Sequence, residues 1–391
     1  MNEKQILALL REIGAQAEKC GFKAWAVGGF ARDRMLGRKT FDIDICAQNL
    51  SARKADIKPL ADFCSKLGAQ VKYFDEFGTA RASFNGGLKI DFVLCRREVY
   101  PAAAALPIVE PAFLEDDLFR RDFTANALAL SLQRNEFLQP YDYYDAQEAI
   151  KKGCIKILHD NSFIDDPTRI LRALRFAARF DWPLEKNTES LLKEAVKSGA
   201  LALLSRERLS AEVMKTLQEE YPSRVFKLFQ KYGIGDYIYK GLRYPACIDE
   251  IKLGRKTDDE NKRSDIMISR LALFALGQGS LTSAEEFLRS LKPSRDIFCR
   301  VYALCAFYYG GEAAQKPLSA RQKKLLKIFN PSLKPCELKA AFLSGGALSA
   351  LGASGPQIGI LQKALGRAQR RGVILSRAAA VKAAKKMLAK L

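Results

Sequence analysis

Two aspartates one residue apart, Asp42 and Asp44, lie in the apolar run Phe41-Asp42-Ile43-Asp44-Ile45. On a β-strand, side chains alternate between faces, so both carboxylates project from one side while Phe41, Ile43 and Ile45 bury the other. Two carboxylates held side by side repel unless a cation lies between them. Mg2+ suits them, because it takes hard oxygen ligands and is commonly held together with substrate phosphates. Fifteen or so residues upstream, the apolar run Trp25-Ala26-Val27 stops at Gly28-Gly29 and a helical segment carrying Arg32 and Asp33 begins. Glycines there let the backbone approach a phosphate closely, with helix-start N–H groups aimed at an anion. A paired glycine alone also makes an ordinary turn, and Asp-x-Asp alone also makes a solvated strand face. Their order and distance point jointly to a nucleoside triphosphate site with Mg2+ on the strand.

Further along, Asp91 in Lys89-Ile90-Asp91-Phe92-Val93-Leu94 lies on a strand that could run beside the Asp42/Asp44 strand. It is a candidate third carboxylate, or an edge-strand charge. The clearest helix is Phe163–Phe180, with Asp166 as its N-cap, Pro167 at the first position and Ile170, Leu171, Leu174 and Ala178 as its apolar stripe. Asp166, Arg169, Arg172 and Arg175 sweep a separate polar arc, with Arg179 beyond it. A solvated basic face is one meaning. So many arginines with so little acid also repel one another unless an anion neutralises them, and the guanidinium fork suits phosphates and nucleobase edges.

The elements that would position these residues follow from periodicity. A leading helix spans 1–22, a strand–helix–strand 24–46, an amphipathic helix 51–68, and strands 70–74, 79–84 and 88–95, the last two joined by Asn85-Gly86-Gly87. Residues 96–116, with three prolines and a run of alanines, read as a long irregular connection. Another strand at 137–141 completes a small α/β head. Beyond Phe163 the pattern is helical, including 186–198, 205–218 and 222–232. The reading is therefore α+β: residues 1–150 a head with a small mixed sheet, 151–235 a helical neck, and 236–391 an all-α body and tail.

The 391 residues carry a formal net charge of +20, which favours a polyanionic partner, nucleic acid first and membrane surface second. No run of about eighteen apolar residues predicts a membrane span, and the N-terminus lacks a signal-peptide core. The nine cysteines are scattered singletons, which read as reduced thiols of a cytoplasmic protein. The single histidine, His159, excludes His-rich zinc chemistry. Lys/Arg clusters at 252–263, 322–327 and in Gly366–Leu391 serve either as solvated helix faces or as contacts to an RNA backbone.

Taken together, Gly28-Gly29-x-x-Arg32-Asp33 with Asp42-x-Asp44, Arg120-Arg121-Asp122-Phe123-Thr124-x-Asn126, and Asp165-Asp166-Pro167-Thr168-Arg169 running into Leu171-Arg172-Ala173-Leu174-Arg175-Phe176 resemble the bacterial-type (class II) tRNA nucleotidyltransferases and poly(A) polymerases. The resemblance is dense over about 24–218 and thin over 240–350. It implies transfer of nucleotides from CTP and ATP to the tRNA 3′ end, to build or complete the CCA terminus by two-metal chemistry. Asp42 and Asp44 would hold Mg2+, Gly29 and Arg32 would contact the incoming triphosphate, and Gly28 and Asp33 would belong to the same nucleotide site. Arg121 would contact the nucleotide, with Asn126 supporting it. Asp166 and Arg169 would template the base, and Arg172 and Arg175 would bind phosphate or sugar.

Cytosine and adenine each present an amino donor beside a ring-nitrogen acceptor. A carboxylate and a guanidinium fit both, whereas uracil and guanine reverse each contact. CCA-adding members usually carry glutamate at the position of Asp165. That departure, with Arg96-Arg97-Glu98-x-Tyr100-Pro101, resembles the branch containing enzymes that add only the terminal A, and that branch also contains full CCA-adding enzymes. A poly(A) polymerase and a non-catalytic RNA-binding protein on the same scaffold are the competing readings. No protein partner is identifiable from the sequence.

Overall fold

A computed structural model describes residues 1–50, 56–245, 247–251, 260–308, 343–370 and 377–388. The basic cluster at 322–327, most of the one at 252–263, and Cys336 lie outside them. The described chain forms two compact units, Met1–Ser205 with Lys227–Ile234, and Arg206–Phe226 with Gly235–Leu391. Among the described residues no helix is long and apolar enough to cross a membrane.

The first unit is built on a mixed seven-stranded sheet. In chain order its elements are α1 (Glu3–Lys19), β1 (Phe22–Val27), α2 (Gly29–Met35), β2 (Asp42–Asn49), α3 (Lys58–Lys66), β3 (Gln70–Phe74), β4 (Thr79–Ser83) and β5 (Lys89–Leu94). These are followed by β6 (Arg96–Val99), β7 (Ile108–Pro111), α4 (Leu114–Phe119), β8 (Ala129–Ser131), β9 (Pro140–Tyr141) and α5 (Ala146–Lys152). Strand order is β3-β4-β5-β2-β1-β8-β9. Only β2 and β5 pair parallel; the other neighbours run antiparallel.

Alternation along the two central strands decides which side carries chemistry. Ala24 and Ala26 of β1 and Ile43, Ile45 and Ala47 of β2 join the large core under α1 and α3. Trp25, Val27 and Cys46 face the opposite way, with Leu114 and Leu118 of α4. Asp42 and Asp44 share that second face and are exposed there. One face of the sheet is thus closed by helices and the other is open at its Asp42/Asp44 end.

The expectation of an irregular connection over 96–116 is corrected. Arg96–Val99 and Ile108–Pro111 form a two-stranded antiparallel sheet, with Val99 opposite Ile108, and α4 follows directly. Its apolar residues Val99, Ile108 and Val109 are exposed, so the stretch lacks the in–out alternation that marks a half-buried strand. Two of the prolines, Pro101 and Pro107, stand just outside the strands, where no ladder N–H is needed.

Beyond α5 the unit continues as α6 (Ser162–Asp165), α7 (Thr168–Phe180) and α8 (Lys186–Lys197). Helix α7 starts one residue later than expected, at Thr168, with Pro167 in the cap position. Asp166 still performs the capping chemistry: its Oδ1 accepts from Thr168 N at 3.0 Å and from Thr168 Oγ1 at 2.6 Å.

The second unit is helical, with helices Arg206–Leu217, Glu260–Leu276, Leu281–Leu291 and Arg295–Tyr308, then Gly345–Ser349, Pro356–Arg370 and Arg377–Leu388. The last three pack around Leu348, Leu361, Leu365 and Ala384.

Candidate active site

Strand register brings the carboxylates together. Asp44 lies opposite Val27 on one side and opposite Asp91 on the other, so the β1–α2 turn and the β5 carboxylate flank it. Asp91 in turn lies opposite Arg81 of β4, whose Nε and Nη2 donate to its two oxygens at 2.6 and 2.7 Å. Asp91 therefore stands beside Asp44 as a carboxylate already held by a guanidinium. Asp44 keeps an exposed surface onto a pocket of about 330 Å3 that is also lined by Arg81, Asp91, Arg96, Arg120 and Arg121. Protein nevertheless surrounds it closely enough that desolvation raises its carboxyl above the ordinary value. Arg121 opposes that shift, and Asp91 and Asp42 add to it.

Among the described residues no group of three or more His, Cys, Asp or Glu is arranged to hold a metal ion. The candidate donors are Asp42 and Asp44, with Asp91 beside them already held by Arg81. The Asp42/Asp44 pair fits a divalent cation on its chemistry: hard oxygens on one strand face, with negative charge concentrated where desolvation and two neighbouring carboxylates already disfavour it.

Gly28 has φ 66° and ψ −121°, in the left-handed half of backbone space that a side chain resists. A Cβ there would lie 2.6 Å from Arg121 Nη1, so the turn favours glycine through its positive φ, and a side chain would also displace the end of that arginine. Arg121 is held by Asp117 of α4, whose Oδ2 accepts from its Nη2 at 2.9 Å. Asp117 is fully buried and its other oxygen accepts from Arg120 Nε and Nη2 at 3.0 and 2.7 Å. Burial would push the Asp117 carboxyl up; the two guanidiniums outweigh that and hold it below the ordinary range. Asp117 is a site residue that sequence reading missed. Spacings of three and four to Arg120 and Arg121 were visible, but an acid on a short helix is ordinarily a surface residue.

A second chain of contacts links all three motifs. Arg32 is 5% exposed and donates to Asp33 Oδ1 from Nε at 2.9 Å and from Nη2 at 2.7 Å. Its Nη1 donates to Asn126 Oδ1. Asn126 Nδ2 donates to Asp122 Oδ1 at 2.7 Å, and Asp122 Oδ2 accepts from Arg172 Nε and Nη2 at 2.9 and 2.5 Å. Burial would raise the Asp122 carboxyl, but Arg172 above all, with the Asn126 hydrogen bond, holds it low. Asp122 supplies the acid that the arginine arc lacks in its own helix.

The arc itself is not a solvated face. Arg169 and Arg175 are 4% and 5% exposed. Arg169 Nη1 donates to Ser162 Oγ at 2.7 Å and Nη2 to the Arg120 carbonyl at 2.8 Å. His159 Nε2 lies 3.4 Å from Arg169 Nη1, and Nδ1 lies 3.9 Å from Asp165. Burial, then Arg169, lowers the His159 pKa.

The Poly A polymerase head domain matches residues 24–156, and the probable RNA and SrmB-binding site of polymerase A matches 183–244. A crystal structure of a tRNA nucleotidyltransferase with a primer tRNA and an incoming ATP analogue is 30% identical, aligns over 81% of this chain and 91% of that one, and superposes with TM-score 0.59. The chain belongs to the class II tRNA nucleotidyltransferase and poly(A) polymerase family.

Within that family it is 41% identical to an A-adding tRNA nucleotidyltransferase of Aquifex aeolicus, over 57% of this chain and 26% of that one. It is 34% identical to an A-adding enzyme of Halalkalibacterium halodurans, over 65% of this chain and 58% of that one. The chain thus spans about a quarter to three-fifths of these relatives. A CCA-adding enzyme structure aligns over the whole of this chain at 26% identity and TM-score 0.62, consistent with the α+β nucleotidyltransferase fold.

Proposed function

We propose that this chain transfers adenylate from ATP to the 3′ end of tRNA and so completes the CCA terminus. The observation that carries the reading is that three distant segments are tied together in the head: Arg121 lies against Gly28 and within electrostatic range of Asp44, and Arg32 is joined through Asn126 and Asp122 to Arg172. In this reading Asp42 and Asp44 hold Mg2+. When bound there, the ion supplies Lewis-acid stabilisation of the phosphoryl oxygens during displacement of pyrophosphate.

The remaining roles belong to the chain itself. Gly28 makes the turn that Arg121 packs against, Gly29 lets the backbone approach the triphosphate, and Arg32 and Arg121 neutralise it, oriented by Asp33, Asn126 and Asp117. Arg172 and Arg175 extend that charge towards sugar or phosphate. Asp91, tied to Arg81, keeps negative charge beside Asp44. Asp166 and Arg169 select the base, accepting from an exocyclic amino group and donating to a ring nitrogen. Arg169 already donates to Ser162 and to the Arg120 carbonyl, which links base reading to the segment carrying Arg120 and Arg121.

The names of the relatives from A. aeolicus and H. halodurans support A addition. Likeness to a CCA-adding enzyme over the full chain supports a second reading, in which CTP is used as well.

Incorporation with Mg2+ on tRNA transcripts ending before CCA, after C and after CC, given ATP, CTP or both, separates these. A single A added to the CC-ended transcript alone is the expected result. C and A on all three, stopping at CCA, establishes the second reading. Long A-tails on any RNA mean a poly(A) polymerase, and silence on all three removes the enzymatic reading.

A further inference from the structure

The nucleotide site has a component that the roles above do not use. Phe176 lies on α7, 7% exposed, and four guanidinium groups are set against its ring. Their central carbons lie 5.5 Å (Arg32), 5.5 Å (Arg172), 5.4 Å (Arg175) and 5.2 Å (Arg179) from the ring centroid. Phe180, one turn on, stacks with it at 5.9 Å and 12° between planes, and carries Arg32 at 4.7 Å and Arg38 at 4.8 Å. Phe123, inside the Arg121-Asp122-Phe123 segment, meets Phe176 edge to face at 5.6 Å and 85°.

Four like charges around one side chain repel at this range. Asp33 and Asp122 offset Arg32 and Arg172. The ring adds what a carboxylate cannot: an attraction for cations from the π-system that strengthens with desolvation and leaves guanidinium N–H groups available to other acceptors. A carboxylate in the same place would compete with a phosphate for those N–H groups. An aliphatic side chain would fill the volume and attract nothing. Aromatic chemistry therefore adds attraction for several arginines without taking further donors from them.

We propose that Phe176 is a positioning residue for the triphosphate: its ring is the shared seat on which Arg32, Arg172, Arg175 and Arg179 are held as a cradle for the polyphosphate chain. The inference rests on the nucleotidyl-transfer reading for its substrate. It differs from it in what it says of one phenylalanine.

The test compares Phe176→Leu and Phe176→Tyr with the wild-type full chain, reading ATP affinity by calorimetry with Mg2+ and steady-state A addition to the CC-ended transcript. Phe176→Leu should raise the ATP Kd and KM by about tenfold, the effect expected from losing several cation–π contacts of which some are desolvated, with kcat changed much less. Phe176→Tyr, which keeps the ring, should restore wild-type values. Phe22→Leu, at a buried ring of the large core under α1 and α3, should lower the Tm without moving either constant. If Phe176→Leu does not fold, Phe176→Met carries the same expectation.

A folded Leu or Met variant with wild-type ATP affinity overturns the proposal, as does a tyrosine variant as weak as the leucine one. A wild-type chain that binds ATP but transfers nothing would sink the enzymatic reading while leaving the calorimetric comparison to decide this one.

Discussion

Two regions of the molecule bury arginine in opposite ways. In the helical unit, Arg270 is fully buried and donates only to backbone carbonyls: Ile251 at 3.1 and 2.7 Å, Leu217 at 2.7 Å, Glu219 at 2.6 Å and Glu220 at 3.4 Å. Leu217 closes the helix Arg206–Leu217, so its carbonyl is one that the helix leaves without an internal partner. Burial lowers the pKa of Arg270 to about 10. In the head, Arg32 and Arg121 are nearly as enclosed, but their partners are side chains: Asp33, Asn126 and Asp117.

Backbone acceptors cannot leave without unwinding the chain, whereas side-chain acceptors can rotate and share. A guanidinium bound to carbonyls is therefore a structural clamp. One bound to carboxylates beside a cavity is a charge that a ligand can borrow.

The strongest way to break this contrast is Asp44→Asn. If the head's charges serve function, single-turnover A addition should fall about 10^3-fold, because charge stabilisation at the phosphoryl oxygens is lost. The Tm should hold or rise, since desolvation and two neighbouring carboxylates already disfavour Asp44. A large drop in Tm with activity per folded molecule intact would place Asp44 with the clamps.

Arg270→Met should show the reverse. Leaving several buried carbonyls without a donor costs about 1–3 kcal/mol each, so unfolding in denaturant should shift by roughly 3 kcal/mol or more. ATP affinity of the folded fraction should remain that of the wild type. Weakened ATP binding in a folded Arg270→Met chain would mean that the two kinds of arginine are not separable.

The smallest effect is a pH dependence particular to the head. Asp117 and Asp122 are each raised by burial and lowered further by their arginines, so their folded values lie below the unfolded one. Stability from them is complete above the unfolded value, near 4, and is lost as pH falls through the depressed values. Thermal unfolding followed from pH 7 to pH 3 should show a declining Tm only at the acid end, and Asp122→Asn should flatten part of that decline. A Tm as steep in the variant as in the wild type would remove Asp122 from the stabilising set.

How much of this was legible in the chain depends on the range of the interaction. The shared face of Asp42 and Asp44 was readable because strand alternation is local. A turn at Gly28-Gly29 was readable from the paired glycines after an apolar run. The guanidinium packed against it was not, because Arg121 arrives from more than ninety residues away. The hairpin at 96–111 was not readable: its exposed Val99, Ile108 and Val109 give no periodic signal. Arg81 became the partner of Asp91 only through the antiparallel register of β4 and β5.

The sequence by itself determined the alternating strand, the glycine turn, the helical arc of arginines and the motif order that marks the family, since each depends on residues within a few positions of one another. Tertiary structure alone decided that Asp122 holds Arg172 fifty residues further along, and that Arg32 of α2 joins the α7 arginines around Phe176. Charge attracts in every direction and carries no periodicity, so its pairing is set only when packing has chosen which groups leave water together.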